Sequence, residues 1–108
     1  MFAAIYQGYV KPGREEEYQE MWKTIASYFI ERRGAIGSCL HRTSDGLFVA
    51  YSRWPDKATR DASWPGDDAP SHELPDEVRQ AIFTIKECID QERKIPDLAL
   101  DVIHDFLY

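Results

Sequence analysis

The sequence predicts a single α+β domain, because segments with strand-like alternation and segments with helical spacing follow one another along its 108 residues. Two short alternating segments flank Ser44-Asp45-Gly46. Asp-Gly between such segments is a strong hairpin signal, since Gly adopts φ > 0 without strain. Two longer stretches, Arg14 to Arg33 and Pro75 to Lys94, have the apolar spacing of amphipathic helices. A chain of this length has room for one core, so one domain is expected over 1–108.

The first predicted strand runs from Phe2 to Lys11, which alternates and is rich in Ile, Tyr and Val, and Pro12-Gly13 ends it. The helix from Arg14 to Arg33 carries glutamates in its first turn and arginines in its last, an order that complements the helix dipole. Gly34 suits the left-handed position after a helix. The apolar residues of this helix form one stripe: Tyr18, Met21, Trp22, Ile25 and Phe29.

The hairpin strands are predicted at Ile36 to Arg42 and Leu47 to Arg53. Pro55 fixes its own φ and Asp56 offers a capping carboxylate, so a short helix is expected from about Asp56 to Trp64. Residues 65–71 contain Pro, Gly and Asp and cannot continue a regular element, which predicts a surface loop.

The second long helix is predicted from Pro75 to about Lys94 and is stopped by Ile95-Pro96. The last strand is predicted from Leu98 to Leu107. Its alternation breaks at Ile103 and Phe106, which predicts either a bulge or a strand buried on both faces. The apolar face of the second long helix consists of Val78, Ile82, Ile85 and Ile89.

The resulting order, βαββααβ, is the ferredoxin-like split βαβ plan with one extra short helix. A sheet of this kind has helices on one face only, and its other face needs cover. Nothing in the sequence supplies a third layer. A homodimer that packs sheet against sheet is therefore expected.

Composition and charge exclude several classes of function. Hydrophobic residues make up 44% and aromatic residues 13% of the chain, and the net charge is −6. This acidity argues against nucleic acid and against an anionic membrane surface as partners. The start of the chain has no basic region and no cleavage site of a signal peptide, so a cytoplasmic location is expected. Cys39 and Cys88 fit no metal or redox spacing and are predicted to be two buried, reduced thiols.

Several turn and cap motifs resemble those of one known family. They are Lys11-Pro12-Gly13-Arg14, Gly34 to Ser38, Asp45 to Asp56, and Trp64 at the end of the short helix. In order and spacing they resemble the antibiotic-biosynthesis-monooxygenase-like family of dimeric α+β barrels, over nearly the whole chain. The resemblance implies that the anthrone- or quinol-oxidising members of the family catalyse their reactions without flavin or metal. Another branch of the family binds and degrades haem.

The haem branch relies on an Asn on the first strand, a Trp after the hairpin and a His on the next helix. Trp64 matches the Trp, but Tyr6 occupies the strand position and the chain contains no Asn. His72 precedes the third helix and does not lie within it. These departures make haem degradation the weakest of the readings that the resemblance allows.

Two residues are candidates for catalysis. His72, in a polar loop, could take a proton from a phenolic or enolic substrate, and the resulting carbanion would react with oxygen. The competing interpretation is an exposed loop histidine. Arg53 shares a strand face with apolar residues and therefore needs an acidic partner or an anionic ligand, so it could steady an enolate. The competing interpretation is a strand-end arginine that reaches water.

Three aromatic residues, Tyr6, Tyr51 and Trp64, are candidates for a substrate pocket, because a flat substrate would stack on rings and use the Tyr hydroxyls. Plain core packing is the alternative for all three. The leading hypothesis is a cofactor-independent, monooxygenase-like enzyme that acts on a small aromatic or polyketide-type molecule, with no cofactor and no metal. The alternatives are a non-catalytic small-molecule-binding or structural dimer and, third, a haem-binding protein.

Overall fold

The computed structural model describes residues 1–63 and 74–106, which form a four-stranded sheet with helices on one face. The strands pair antiparallel in the order β2-β3-β1-β4. This α+β, ferredoxin-like arrangement confirms the predicted fold class. The elements are β1 (Phe2–Tyr9), α1 (Glu15–Arg32), β2 (Gly37–Arg42), β3 (Leu47–Trp54), α2 (Lys57–Ser63), α3 (Asp76–Cys88), a 3₁₀ turn (Gln91–Arg93) and β4 (Leu98–Asp101).

The register of the two central strands determines which side chains face the helices. Phe2 of β1 pairs with Trp54 of β3, and Tyr6 pairs with Ala50. Because side chains alternate along a strand, the even-numbered residues of both strands share one face. On that face Phe2, Ala4 and Trp54 pack with α1 and α3 in the main core cluster. The predicted apolar face of α3 is confirmed, since Val78 and Ile82 are buried in the same cluster.

The hairpin loop has the three residues that the sequence indicates. Thr43 N–H donates to the Leu47 carbonyl over 2.9 Å, which closes the loop around Ser44, Asp45 and Gly46. Gly46 has φ +91°, in the region that favours glycine. A three-residue loop that ends in a left-handed glycine is a common way to join two antiparallel strands.

Two predicted elements are wrong in length. The second long helix ends at Cys88 instead of Lys94, because Ile89 is extended and forms a bridge with Val10. The last strand ends at Asp101 instead of Leu107, and all four of its residues are exposed. Asp101 pairs with Phe2, the first residue of β1, so later residues have no β1 partner left. The predicted bulge or doubly buried strand is therefore absent from residues 98–106.

The prediction of two buried thiols is half right. Cys88 is fully buried, whereas Cys39 is exposed. Cys39 pairs with Tyr51 across the hairpin, and by alternation both lie on the face away from the helices. β2 is also an edge strand, so neither a helix nor a further strand covers this thiol.

The face of the sheet away from the helices, called the open face below, is largely apolar at its centre, and no α-helix of the described residues packs against that centre. It carries Ile5, Val49 and Tyr51 at its centre. At the β4 edge, Leu98 and Leu100 are 45% and 38% exposed. Among the described residues, no helix is long and apolar enough to cross a membrane.

The cap of α2 makes a pH-dependent contribution to stability. The Asp56 carboxylate accepts a hydrogen bond from Thr59 N–H over 2.7 Å, as the sequence predicts. This bond to the backbone holds the pKa of Asp56 below its ordinary value of 3.8. A lowered pKa in the folded state means that the stabilisation is present above the ordinary pKa and is lost as pH falls through the folded pKa.

We therefore expect Asp56→Ala to lower the thermal unfolding midpoint near neutral pH, and this difference from wild type to shrink below pH 3.8. The measurement is thermal unfolding followed by circular dichroism over a pH series. Glu31→Ala, on the exposed side of α1, is the control and should give no difference of this form. A difference between wild type and Asp56→Ala that stays constant to the lowest pH would contradict the assignment.

Candidate functional site

A cavity of about 460 Å³ lies between the helix-covered face of the sheet and the two long helices. Its floor is the sheet, and α1 and α3 form its walls. The lining residues of the sheet are Tyr6, Gln7, Ser38, Ala50, Ser52 and Trp54; those of the helical walls include Trp22, Ile25, Ala26, Phe29, Ile82, Ile85 and Ile89. A volume of this size accommodates a small molecule, and the lining is mostly apolar, as is usual for ligand pockets.

The cavity exists because small residues occupy the middle of its floor. Ser38, Ala50 and Ser52 face the helices where larger side chains would fill the space. Large rings stand at either end. The rings of Phe29 and Trp54 lie 6.2 Å apart at one end, and those of Tyr18 and Phe48 lie 5.0 Å apart at the other. These ring pairs keep the helices at a distance from the sheet that the small side chains of the floor do not span.

The rim of the cavity is polar and charged. Lys86, Gln91, Lys94 and Asp97 line the cavity and are exposed, so this part of its wall is in contact with solvent. Ile30 of α1 also lines the cavity and is 40% exposed. A ligand can therefore approach through a rim that differs in character from the apolar interior.

Two hydrogen-bonded pairs involve hydroxyl groups of the floor, and Arg60, a partner in one of them, lies beside the cavity and does not line it. Arg60 of α2 donates from Nη2 to the Tyr6 hydroxyl over 3.2 Å, and both residues are partly buried. The hydroxyls of Ser38 and Ser52 lie 3.0 Å apart on paired residues of β2 and β3. Such a small number of fixed polar groups in an apolar pocket orients a ligand and distinguishes between ligands.

Two buried titratable groups in the core beside the cavity, Tyr18 and Cys88, stay uncharged at neutral pH. Burial raises the pKa of the Tyr18 phenol to about 12, so it remains protonated. Burial also raises the pKa of Cys88, whose thiol lies 3.5 Å from a Glu17 carboxylate oxygen. Neither group is therefore a candidate for an anionic base or nucleophile.

The structure separates the predicted site residues. Tyr6 lines the cavity. Tyr51 and Arg53 pair with Ile5 and Ala3 and lie on the open face, so they do not reach the cavity from this position. Trp64 and His72 lie outside the described residues. The catalytic and binding roles assigned to these residues stay predictions.

Arg53 has the acidic partner that its apolar surroundings require. Its guanidinium forms an ion pair with Asp105, and its side chain is only 15% exposed. The same nitrogen contacts the Met1 sulfur at 2.8 Å. The Asp105 carboxylate raises the pKa of Arg53, and the ion pair ties the C-terminal segment to the open face of the sheet.

Sequence reasoning missed Arg60 beside the cavity and the polar residues that line it, which are Gln7, Ser38, Ser52, Lys86, Gln91, Lys94 and Asp97. The serine pair could have been found. A three-residue loop at 44–46 places residue 43 opposite 47 and therefore residue 38 opposite 52. The contact of Arg60 with Tyr6 could not, because it depends on how α2 lies against β1, and no local pattern reports that.

Among the described residues, no group of three or more His, Cys, Asp or Glu side chains could hold a metal ion. The chemistry that these residues offer at the cavity is hydrogen bonding by hydroxyls and one guanidinium, together with stacking on rings. This set suits the binding of a flat, mostly apolar molecule.

Comparison with known proteins identifies the fold. No protein-family model matches the sequence, and no curated protein is significantly similar to it. Solved structures do match over almost the full length of both chains. A protein named antibiotic biosynthesis monooxygenase superposes with a TM-score of 0.69 at 17% identity, covering 96% of this chain and 100% of the other.

Two further structures are equally similar. SnoaB of Streptomyces nogalater, described as a cofactor-independent oxygenase and solved as a mutant, gives a TM-score of 0.71 at 11% identity, with coverages of 99% and 97%. Rv0793 of Mycobacterium tuberculosis gives 0.70 at 13% identity, with 97% of each chain covered. At such identities the likeness shows the fold, and this chain has the α+β fold of the antibiotic biosynthesis monooxygenases.

Proposed function

We propose that this chain binds a small aromatic or polyketide-type molecule in the cavity and acts on it as a cofactor-independent monooxygenase. The cavity itself carries the proposal. Protein interiors are close-packed, and voids larger than a water molecule are few. A space of about 460 Å³ lined by Trp22, Phe29 and Tyr6 is therefore better explained as a binding site than as part of the core.

The fold supports the oxygenase part of the proposal. One structure with this fold is described as a cofactor-independent oxygenase, although it is only 11% identical to this chain. In such a reaction a base removes a proton from a CH2 group of the substrate, and the carbanion gives its electrons to dioxygen and combines with it to form a hydroperoxide. The hydroperoxide then loses water, so that one oxygen atom stays in the product as a carbonyl and the other leaves as water. His72 is the proposed base, and Trp64 and Tyr6 are the proposed contacts for the substrate.

A second candidate function, non-catalytic binding of the same class of molecule, is favoured by the chemistry of the cavity walls. Tyr18, which lines the cavity, and Cys88, which packs in one core cluster with Tyr18, stay protonated, and Arg53 is paired with Asp105 on the other face. The described residues thus supply groups that bind but do not by themselves complete a set that transfers protons. Activity in this cavity depends on His72.

We also propose that two copies of the chain pack through their open faces. The apolar centre of that face, Ile5, Val49 and Tyr51, and the exposed leucines of β4 need cover from water. An antiparallel sheet covered on one side only obtains that cover most simply from a second copy. The cavity lies on the other side of the sheet and stays accessible in such a dimer.

Filling the cavity should abolish ligand binding. We expect aromatic ligands such as anthrones and quinols to raise the thermal unfolding midpoint of the wild type in a concentration-dependent way, since a ligand that binds only the folded state stabilises it. Ala26→Leu, in the α1 wall, and Ala50→Leu, in the floor, occupy the same space and should each reduce that shift by more than half. The measurement is a thermal-shift titration, with hemin as a further ligand.

Val49→Leu is the matched control for Ala50→Leu, because it enlarges the neighbouring side chain on the opposite face of the same strand. It should leave the ligand-induced shift unchanged. Equal shifts in wild type and both filled variants would show that the ligand binds elsewhere. No shift with any ligand in the wild type would overturn the proposed binding function.

Catalysis should depend on His72. For a ligand that binds, we expect oxygen uptake by the wild type and a loss of about 100-fold in His72→Ala, the lower end of what a general base contributes. The measurement is oxygen consumption with an electrode, and His104→Ala is the control at an exposed histidine. Unchanged turnover in His72→Ala would contradict its role. Binding without oxygen uptake would favour the non-catalytic alternative.

A charge on the open face should separate the proposed dimer. We expect the wild type to have about twice the chain mass of 12.5 kDa, and Leu100→Arg to have the mass of one chain, because the buried charge would lack a partner. Light scattering after size exclusion measures both masses. Phe83→Arg, at a 62% exposed position of α3, is the control and should stay dimeric. A monomeric wild type would contradict the proposal.

A further inference from the structure

We propose that Ser38 and Ser52 form a subsite that binds a neutral carbonyl or hydroxyl oxygen on the planar ligand of the cavity. The inference rests on the proposed binding function and adds a specificity to it. It identifies which part of the floor distinguishes an oxygenated ring system from a plain hydrocarbon.

The register of the hairpin brings the two hydroxyls together. Ser38 of β2 and Ser52 of β3 are direct cross-strand partners, and both line the cavity. Their hydroxyl oxygens lie 3.0 Å apart and are partly buried. The neighbours along the same face of β3 are Ala50 and Trp54, which offer no acceptor to either hydroxyl. The pair is therefore a polar spot within an apolar floor.

Counting protons shows that the serine pair has capacity left for a ligand. Each hydroxyl can donate one hydrogen bond and accept two. The bond between the two serines uses one of the two protons, and the other proton has no acceptor among the hydrogen bonds of the described residues. A donor left without a partner in an apolar site is unfavourable. A ligand oxygen over the pair would supply the missing acceptor.

Trp54 adds a second unsatisfied donor in this part of the floor. It lies two residues from Ser52 on the same strand face and is 4% exposed. Its indole Nε1 is buried and has no hydrogen-bond partner among the described residues. Two donors in this part of the floor, one serine proton and the Trp54 indole N–H, therefore have no acceptor among the described residues, which favours a ligand oxygen that accepts hydrogen bonds.

Charge restricts the ligand oxygen to a neutral one. Neither serine is hydrogen-bonded to a charged side chain among the described residues. The charged lining residues, Lys86, Lys94 and Asp97, are exposed at the rim. A carboxylate or phosphate over the serines would lose its hydration without gaining a counter-charge, which is costly. A ketone, quinone or phenol oxygen does not meet that cost.

Two ligands that differ by one oxygen test the subsite. The measured quantity is the dissociation constant of naphthalene divided by that of 2-naphthol, each obtained from quenching of tryptophan fluorescence. The variants are Ser52→Thr and Ser52→Val, which have nearly the same shape and differ in the hydroxyl. Ser38→Ala removes the other hydroxyl, and Ser27→Ala on the exposed side of α1 is the control.

We expect the ratio in Ser52→Thr and Ser27→Ala to equal that of the wild type. In Ser52→Val and Ser38→Ala it should fall by about fivefold, the effect of one net hydrogen bond, while naphthalene affinity is retained. The retained naphthalene affinity also shows that the variants fold. The same ratio in wild type, Ser52→Thr and Ser52→Val would overturn the subsite alone. Failure of wild type to bind either ligand would overturn the proposed function with it.

Discussion

The antiparallel pairing of β1 with β3 decides which side chains of this protein can meet. With Phe2 opposite Trp54 and Tyr6 opposite Ala50, every even-numbered residue of the two central strands faces the helices. A shift of one residue would exchange the two faces, and the core aromatic residues would then point away from α1 and α3. The core, the cavity and the open face are all consequences of this one register.

The two faces of the sheet differ in what they leave unfilled: one has a cavity, and the other has an exposed apolar surface. On the helix side, bulky rings at both ends of a floor of small residues keep the helices away from the sheet, which leaves a mostly apolar space that opens to solvent at a polar rim. On the other side, Ile5, Val49 and Tyr51 are partly exposed, and no α-helix of the described residues packs against them. A cavity suits a small molecule, and a broad flat face suits another protein surface.

Local patterns in the sequence predicted most of the fold. The loop at Gly46, the cap at Asp56 and the apolar face of α3 each depend on neighbours close in sequence. The two element ends that the sequence predicted wrongly depend on residues distant in sequence. Ile89 forms a β-bridge with Val10 and so does not continue α3, and β4 ends at Asp101 because Phe2, its partner, is the first residue of β1. The site was less predictable for the same reason. Alternation alone does not show which face the helices cover, so the sequence does not separate Tyr6, which lines the cavity, from Tyr51 and Arg53 on the open face.

The central claim is that a ligand binds between the helices and the small residues of the sheet floor. The most direct test is a two-dimensional ¹H–¹⁵N NMR titration of the wild type with 2-naphthol. Our account predicts that the largest shift changes fall on cavity residues from three elements, such as Ala26, Ala50 and Ile85. Changes concentrated on Ile5 and Val49 of the open face, or no changes at saturating ligand, would contradict it.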